Sequence, residues 1–127
     1  MNSEPGRELR DDASLRALLA ATRRIAVLGI KTPAQHDQPA FYVPTYLADA
    51  GFDIVPVPVY YPEVSEILGQ PVVRSLTAIE GPVDLVNVFR RPADVAAHLD
   101  DLLALRPRAV WLQSGIRNDE VAQSLLA

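Results

Sequence analysis

The sequence predicts an α/β fold in which one parallel β-sheet lies between layers of helices. Short, almost continuously apolar runs alternate along the chain with segments whose apolar residues recur at helical spacing. Continuous apolar runs are typical of parallel strands that are buried on both faces. Strands that alternate with helices form parallel sheets through right-handed crossovers. The 127 residues of the chain are enough for one domain of this kind.

The chain is expected to begin with a flexible polar tail over residues 1–10, followed by a single domain over residues 11–127. A first helix is expected from about Asp11, because aspartate is a favoured helix cap and apolar residues follow it on one face, namely Leu15, Leu18 and Leu19. The next run, Ile25–Gly29, is continuously apolar and ends in glycine. It predicts a buried strand that leads into a tight turn.

A polar loop over residues 30–41 separates this strand from a second helix. Pro44 fits the first turn of that helix, and Gly51 fits its C-terminal stop. The segment Asp53–Val57 predicts the second strand. It contains Pro56, which removes a backbone donor and favours a sheet edge or a strand end.

In the second half of the chain, Tyr60–Gln70 is expected to be a loop with at most a short helical turn, and Pro71–Val73 a short edge strand. The apolar segment Asp84–Phe89 predicts the fourth strand. A helix is then expected to begin at Pro92 and to end before Pro107, because apolar residues recur between them at helical spacing.

The run Ala109–Leu112 predicts a fifth strand, and Asn118 is expected to cap a last helix. Together the elements predict a Rossmann-like three-layer domain with a parallel sheet of strand order about 3-2-1-4-5. We expect Ile25–Leu28, Leu85–Phe89 and Ala109–Leu112 to be adjacent, parallel and central. In such a sheet, ligands bind beyond the carboxyl ends of the strands, where the direction of winding reverses.

The composition excludes several classes of function. The chain has no cysteine, a net charge of −4 and two histidines that lie far apart. We therefore expect no disulfide framework, no metal site and no nucleic-acid binding, which needs a basic face. No apolar run reaches the length of about 18 residues that a membrane span needs, and the N-terminus lacks the apolar core of a signal peptide. A cytoplasmic protein is expected.

The loop after the first predicted strand is a candidate phosphate site. It contains Gly29, Ile30, Lys31 and Thr32, and Lys31 is the only lysine of the chain. A phosphate here would meet an ammonium group, a hydroxyl and backbone N–H groups. The loop is not the dinucleotide fingerprint, which needs two further glycines. The alternative is a solvated loop with one exposed lysine.

The loop after the second predicted strand disfavours NAD as the bound cofactor. Val59 and Tyr60 follow Val57, and no carboxylate appears until Glu63. A domain that binds NAD usually has an acidic residue at this position to hold the ribose hydroxyls. The ring of Tyr60 is instead suited to stack on an adenine, although exposed tyrosines are also common in loops without a ligand.

The loops after the fourth and fifth predicted strands supply further polar groups. Arg90 and Arg91 suit a phosphate, or are solvated or tied to nearby carboxylates. Ser114 lacks the Gly-x-Ser-x-Gly elbow of a nucleophile. His98 is expected on a solvent-facing side of its helix. No catalytic residue is therefore predicted, and the fifth loop offers only neutral hydrogen bonds and close backbone approach, from Gln113, Ser114 and Gly115.

As an ordered set, four stretches of the chain resemble the small bacterial and archaeal CoA-binding proteins. That family is related to the N-terminal CoA-binding domain of the succinyl-CoA synthetase alpha subunit. The likeness runs from about Leu15 to the end of the chain. Its motifs are Ile25–Gly29, Phe52–Val57 followed by Glu66–Gly69, Pro82–Pro92, and Ala109–Ile116.

The resemblance implies where CoA binds. In the family, the diphosphate lies over the first loop and the adenosine part is held by the loops after strands two, four and five. The family often has Asn-Pro after the second strand, where this chain has Pro58-Val59, and it usually continues through one further strand after the last helix. The implied cofactor-binding residues are Gly29, Ile30, Lys31, Val59, Tyr60, Phe89, Arg90, Gln113, Ser114 and Gly115.

The sequence therefore predicts a stand-alone module that binds coenzyme A or an acyl-CoA and has no catalytic residues of its own. The synthetase's phosphorylated histidine lies in another domain, so the resemblance implies no ligase activity. Two alternatives stay open. One is an NAD(P)-binding redox enzyme or sensor on the same fold, and the other is an interaction domain whose pocket is vestigial.

Overall fold

The structure, a computed structural model, describes residues 17–112 of the chain. The strands in this part are β1 (Arg24–Leu28), β2 (Asp53–Val57), β3 (Glu66–Ile67), β4 (Gln70–Pro71), β5 (Leu85–Val88) and β6 (Ala109–Leu112). The helices are α1 (Pro39–Asp49), α2 (Pro92–Val95) and α3 (Leu99–Leu105), with 3-10 turns at Pro33–Gln35, Leu76–Ala78 and Ala96–His98. Residues 17–20 are also helical.

The main sheet of the described part is parallel, with the strand order β2-β1-β5-β6. Ile25 of β1 lies opposite Ile54 on one side and opposite Leu85 on the other, and Leu85 lies opposite Ala109. These pairings confirm the α/β Rossmann-like fold and the adjacent, parallel arrangement of the three apolar runs. Within residues 17–112, β6 lies at the edge of the sheet. The expectation that its run is central is therefore wrong for this part of the chain.

Helices cover both faces of the sheet, because successive strand residues point to opposite faces and both sets are apolar. On one face, Ala26 and Leu28 of β1 belong to a buried cluster with Val95 of α2 and Leu102 of α3. On the other face, Ile25 belongs to a second cluster, against which pack Leu18, Phe41 and Leu47. The sheet between two helical layers confirms the three-layer prediction.

The predicted third strand, Pro71–Val73, is not part of the main sheet. Instead, β3 and β4 form a small antiparallel hairpin that begins inside Tyr60–Gln70, the segment expected to be a loop. The chain then passes the outer edge of β2, where the N–H of Val73 donates to the carbonyl of Pro56 at 2.9 Å. The N–H and C=O of one strand residue point to the same side, and Pro56 has no N–H. This edge therefore lacks a donor that a third parallel strand would need.

Helix α1 begins earlier than predicted, at Pro39, so Pro44 lies inside the helix rather than in its first turn. Proline suits the first turn, and the sequence offers two prolines for it. Because Pro44 has no N–H, it leaves the carbonyl of Ala40, four residues earlier, without its helical donor. The backbone N–H of Lys31 donates to that carbonyl instead, at 3.1 Å. The loop after β1 is thereby tied to α1.

The helix predicted between Pro92 and Pro107 is interrupted by the 3-10 turn Ala96–His98, which separates α2 from α3. Arg106, with a φ of 54°, ends α3 in the left-handed conformation. In the described part of the chain, no helix is long and apolar enough to cross a bilayer. The predicted tail, most of the first helix and the helix expected after Asn118 lie outside the described residues.

Candidate functional site at the carboxyl ends of the strands

Three loops leave the sheet at the same edge and are joined by backbone hydrogen bonds. The N–H of Gly29, after β1, donates to the carbonyl of Val57 at 2.9 Å. The N–H of Phe89, after β5, donates to the carbonyl of Leu28 at 2.8 Å. The winding reverses between β1 and β5, since β2 lies on one side of β1 and β5 and β6 on the other. This is the position at which open α/β sheets bind ligands.

Gly29 allows the loops after β1 and β5 to touch. Its φ is +85°, a left-handed conformation that glycine adopts without steric cost. A Cβ at this position would lie 2.3 Å from the carbonyl oxygen of Phe89 and 3.3 Å from Cδ of Arg90. The backbone conformation and the lack of space for a side chain therefore both require glycine at position 29. The close approach brings three predicted site residues into contact, namely Gly29, Phe89 and Arg90.

In the loop after β1, Lys31 is the positively charged residue that a phosphate could meet. Thr32 donates its N–H and its hydroxyl to Oε1 of Gln35, at 3.2 and 2.6 Å, and the N–H of Lys31 is bound to Ala40. The side chain of Ile30 is only 1% exposed. The ammonium group of Lys31 is partly exposed and has no salt-bridge partner among residues 17–112.

A cavity of about 210 Å³ lies at the carboxyl ends of β1 and β2. Its apolar walls come from these strands and from the chain that follows β2, and its polar groups come from the segments around residues 74 and 98. Of the predicted site residues, Val59 lines it. The lining residues are Leu28, Val57, Pro58, Val59, Arg74, Ser75, Leu76, His98 and Asp101.

His98 lies on the wall of this cavity and is half-buried, rather than on the fully solvent-facing side that the sequence predicts. The Nε of Arg90 donates to Nε2 of His98 at 3.2 Å. Burial of the imidazole, and after it the positive charge of Arg90, lowers the pKa of His98 below its ordinary value. His98 is therefore neutral at pH 7, which leaves Nε2 able to accept this hydrogen bond.

The 3-10 turn at Ala96–His98 explains why the sequence placed His98 wrongly. A 3-10 turn rotates further per residue than an α-helix, so positions beyond it shift to another face.

Asp94 pairs with both arginines of the loop after β5. Its Oδ2 lies 2.8 Å from Nε of Arg91 and 3.8 Å from Nη2 of Arg90. The hydrogen bond from Arg91 lowers the pKa of Asp94, so its carboxylate is ionised at neutral pH. The structure thus agrees with the alternative in which both arginines are paired with a nearby carboxylate. Arg90 remains next to Gly29 and His98, whereas the side chain of Arg91 is 85% exposed.

Arg74 is a residue at this edge that the sequence reasoning missed. Its guanidinium donates to the carbonyls of Tyr60, Tyr61 and Pro62, at 3.2, 3.0 and 3.4 Å, and also to that of Val64. Tyr60 is 72% exposed, and its ring meets that of Tyr61 edge to face with centroids 5.1 Å apart. No spacing rule identifies a single arginine in a loop, so the sequence carries no signal for this contact.

Part of the predicted site lies outside the described residues, namely Gln113, Ser114 and Gly115. Between residues 17 and 112, no group of acidic or histidine side chains is arranged to hold a metal ion. The structure brings Gly29, Phe89 and Arg90 together and places Val59 in the neighbouring cavity.

Residues 23–127, which include the sheet and its loops, match the model of a family described as a CoA binding domain. The chain belongs to this CoA-binding family. The match confirms the resemblance carried by the four sequence motifs.

Relatives of this CoA-binding domain have similar lengths. The chain is 35% identical over 113 residues to the Bacillus subtilis (strain 168) protein YneT, covering 89% of this chain and 80% of YneT. The solved structure of cell-free ID.343 from Thermus thermophilus is 42% identical, with a TM-score of 0.82 over 91% of this chain and 84% of that chain.

A hypothetical protein from Pyrococcus horikoshii OT3 has the same fold at lower identity. It is 24% identical to this chain, with a TM-score of 0.81 over 98% of this chain and 84% of that chain. At that identity the likeness shows the fold alone.

Proposed function

We propose that this protein is a module that binds coenzyme A or an acyl-CoA at the carboxyl edge of its sheet. The observation that carries the proposal is the cavity of about 210 Å³ at the ends of β1 and β2, in a domain of the CoA-binding family. Pockets that enclose a drug-sized ligand measure about 300–1,000 Å³. This cavity is therefore large enough for only one part of CoA. The rest of the ligand is proposed to lie along the loops.

Cationic side chains at the carboxyl edge of the sheet suit the phosphates of CoA. Lys31 is the third residue after β1, and Cδ of Arg90 lies 3.3 Å from the Cβ position of Gly29. Arg90 shares the carboxylate of Asp94 with Arg91, so Lys31 is the stronger candidate for the diphosphate. In this proposal, Thr32 shapes the loop through its two hydrogen bonds to Gln35 rather than donating to the ligand.

Other predicted residues would complete the binding site. Ile30 contributes only through its backbone, because its side chain is buried. Val59 and Tyr60 offer an apolar wall and an exposed ring to the adenine, and Phe89 offers backbone groups at the switch point. The loop after β6 is proposed to supply the neutral groups of Gln113, Ser114 and Gly115.

The contacts of the polar residues around the cavity support binding without a reaction. A serine nucleophile needs a histidine that accepts its proton. The Nε2 of His98 is already bound to Arg90, and the hydroxyl of Ser75 lies 3.2 Å from that of Thr77. Neither group is placed to activate the other, so we propose that the described residues bind a ligand and carry out no chemistry on it.

NAD is the second candidate ligand, because the carboxylate of Asp101 lines the cavity. In domains that bind NAD, a carboxylate near the end of the second strand holds the ribose diol.

Isothermal titration calorimetry with CoA and with NAD decides between the two. We expect CoA to bind more tightly, and equal or tighter binding of NAD would overturn the proposal. If neither binds, the interaction-domain alternative is favoured. Mass spectrometry of small molecules released from the purified protein tests the same point without choosing the ligand in advance.

A further inference from the structure

The loop over residues 60–64 is held in place by one side chain from another part of the chain. The guanidinium of Arg74 donates to the carbonyls of Tyr60, Tyr61, Pro62 and Val64. Its backbone neighbour, Val73, is bound to the sheet through the carbonyl of Pro56 in β2. Arg74 therefore ties this loop to the edge of the sheet.

The same loop contains a residue in an unfavourable backbone conformation. Tyr61 has a φ of 64°, in the left-handed region that residues with a side chain rarely occupy. Such a conformation persists only where the surroundings determine it. Arg74 holds the carbonyl of Tyr61 and those of its two neighbours, Tyr60 and Pro62, so it contributes the contacts that fix this turn.

The fixed turn presents an aromatic surface next to the cavity. Tyr61 meets the ring of Tyr60 edge to face, and Tyr60 is still 72% exposed. The preceding residue, Val59, lines the cavity. We infer that Arg74 is a positioning residue that presets Tyr60 to stack on the nucleobase of the ligand. This inference rests on the proposed binding of CoA.

The contacts of Arg74 favour positioning over direct binding of a phosphate. Both terminal nitrogens of its guanidinium already donate to carbonyls of the loop. A planar guanidinium holds several acceptors at once in a fixed fork, whereas a lysine ammonium is a compact point charge that also binds phosphate well. Lysine at this position would therefore keep a phosphate contact but lose the geometry of the loop.

The test is a double-mutant cycle measured by calorimetry with CoA, using Arg74→Lys, Tyr60→Ala and the two substitutions combined. Arg74→Lys should weaken binding by about 5- to 150-fold, which is the range for loss of one base–aromatic stack. In the Tyr60→Ala background, the same change should have an effect within about twofold, because the residue through which Arg74 acts is gone. Arg23→Lys, an exposed arginine at the opposite end of β1, is the matched control and should bind CoA like the parent.

Each other outcome overturns a defined part of the inference. Parent-like binding by Arg74→Lys would show that a positive charge at this position is sufficient for CoA binding. It would therefore disprove the positioning role of Arg74. Additive losses in the cycle would show that Arg74 acts independently of Tyr60. A parent that binds no CoA would defeat the proposed function itself and the inference with it. Urea unfolding of each variant separates a lost contact from a lost fold, and Tyr60→Ala, at an exposed position, provides a leg of the cycle that stays folded.

Discussion

The Nε of Arg90 donates to Nε2 of His98 at 3.2 Å, and this contact requires the imidazole to be neutral. A protonated imidazole carries hydrogen on both nitrogens and has no acceptor left. Burial and Arg90 disfavour the proton on His98, while Asp101 and Asp94 favour it to a lesser extent. The pKa of His98 is accordingly lower in the folded chain than in the unfolded chain.

We expect acid to destabilise the parent more than a His98→Gln variant. The contribution of His98 to stability is complete above its ordinary pKa of 6.5 and is lost as the pH falls through that value toward the lower folded pKa. Glutamine keeps a side-chain oxygen that can accept from Arg90, but it does not titrate. Urea unfolding at about pH 7.5 and about pH 5.5 measures the difference. Equal losses of unfolding free energy in both proteins would contradict the assignment.

Replacing Lys31 by alanine should weaken CoA binding without weakening the fold. The side chain is partly exposed, and such substitutions usually change stability by less than about 0.5 kcal/mol. Loss of a hydrogen bond to a charged group corresponds to roughly 1.5–3 kcal/mol, or about 10- to 150-fold in Kd. Added salt should reduce the difference. Calorimetry at low salt is the measurement, with Arg23→Ala as the control, and an unchanged Kd would exclude Lys31 from the phosphate site.

Replacing Gly29 by alanine should destabilise the protein by about 2–5 kcal/mol. A side chain costs about 1–2 kcal/mol in the left-handed region, and overpacking costs about 1–3 kcal/mol more. Gly69→Ala is the matched control, because Gly69 also has a positive φ, +76°, but nothing lies within 4 Å of its Cβ position. Urea unfolding measures both variants. If Gly29→Ala costs no more than Gly69→Ala, the close approach to Phe89 is unimportant for stability.

Asp84 joins the amino-terminal ends of β1 and β5. Its Oδ2 accepts the backbone N–H groups of Arg24, at 3.0 Å, and Arg23, at 2.9 Å, and these hydrogen bonds lower its pKa below the ordinary 3.8. Asp84→Ala should therefore lower the unfolding free energy by about 1 kcal/mol at neutral pH, because the carboxylate is partly exposed.

The pH dependence of the effect of Asp84→Ala tests whether the ionised carboxylate is what stabilises the fold. A lowered carboxyl pKa stabilises the fold above 3.8, and this stabilisation is lost as the pH falls through the folded value. The difference between the parent and Asp84→Ala should therefore shrink in acid. A difference that stays constant from neutral pH to about pH 3 would show that ionisation of Asp84 is irrelevant.

The central strands of the main sheet could be predicted because their burial on both faces demands nearly continuous apolar runs, as in Ile25–Leu28 and Leu85–Val88. The hairpin β3–β4 could not, since strands of two residues have no periodicity to detect. Gly29 could be predicted as a site residue because it is a glycine that directly follows a predicted strand. His98 and Arg74 could not, because their positions depend on a 3-10 turn and on the reach of a long side chain.

Pro56 also bears on how copies of this chain behave toward one another. An uncovered strand edge is a template on which a strand from another molecule can add, which is a common route to aggregation and domain swapping. At the outer edge of β2, Pro56 offers no donor, and its carbonyl is already bound by Val73. An incoming extended segment would meet a break in the hydrogen-bond ladder at this point. The residue that stops the sheet from extending beyond β2 within the chain therefore also protects this edge from intermolecular strand addition.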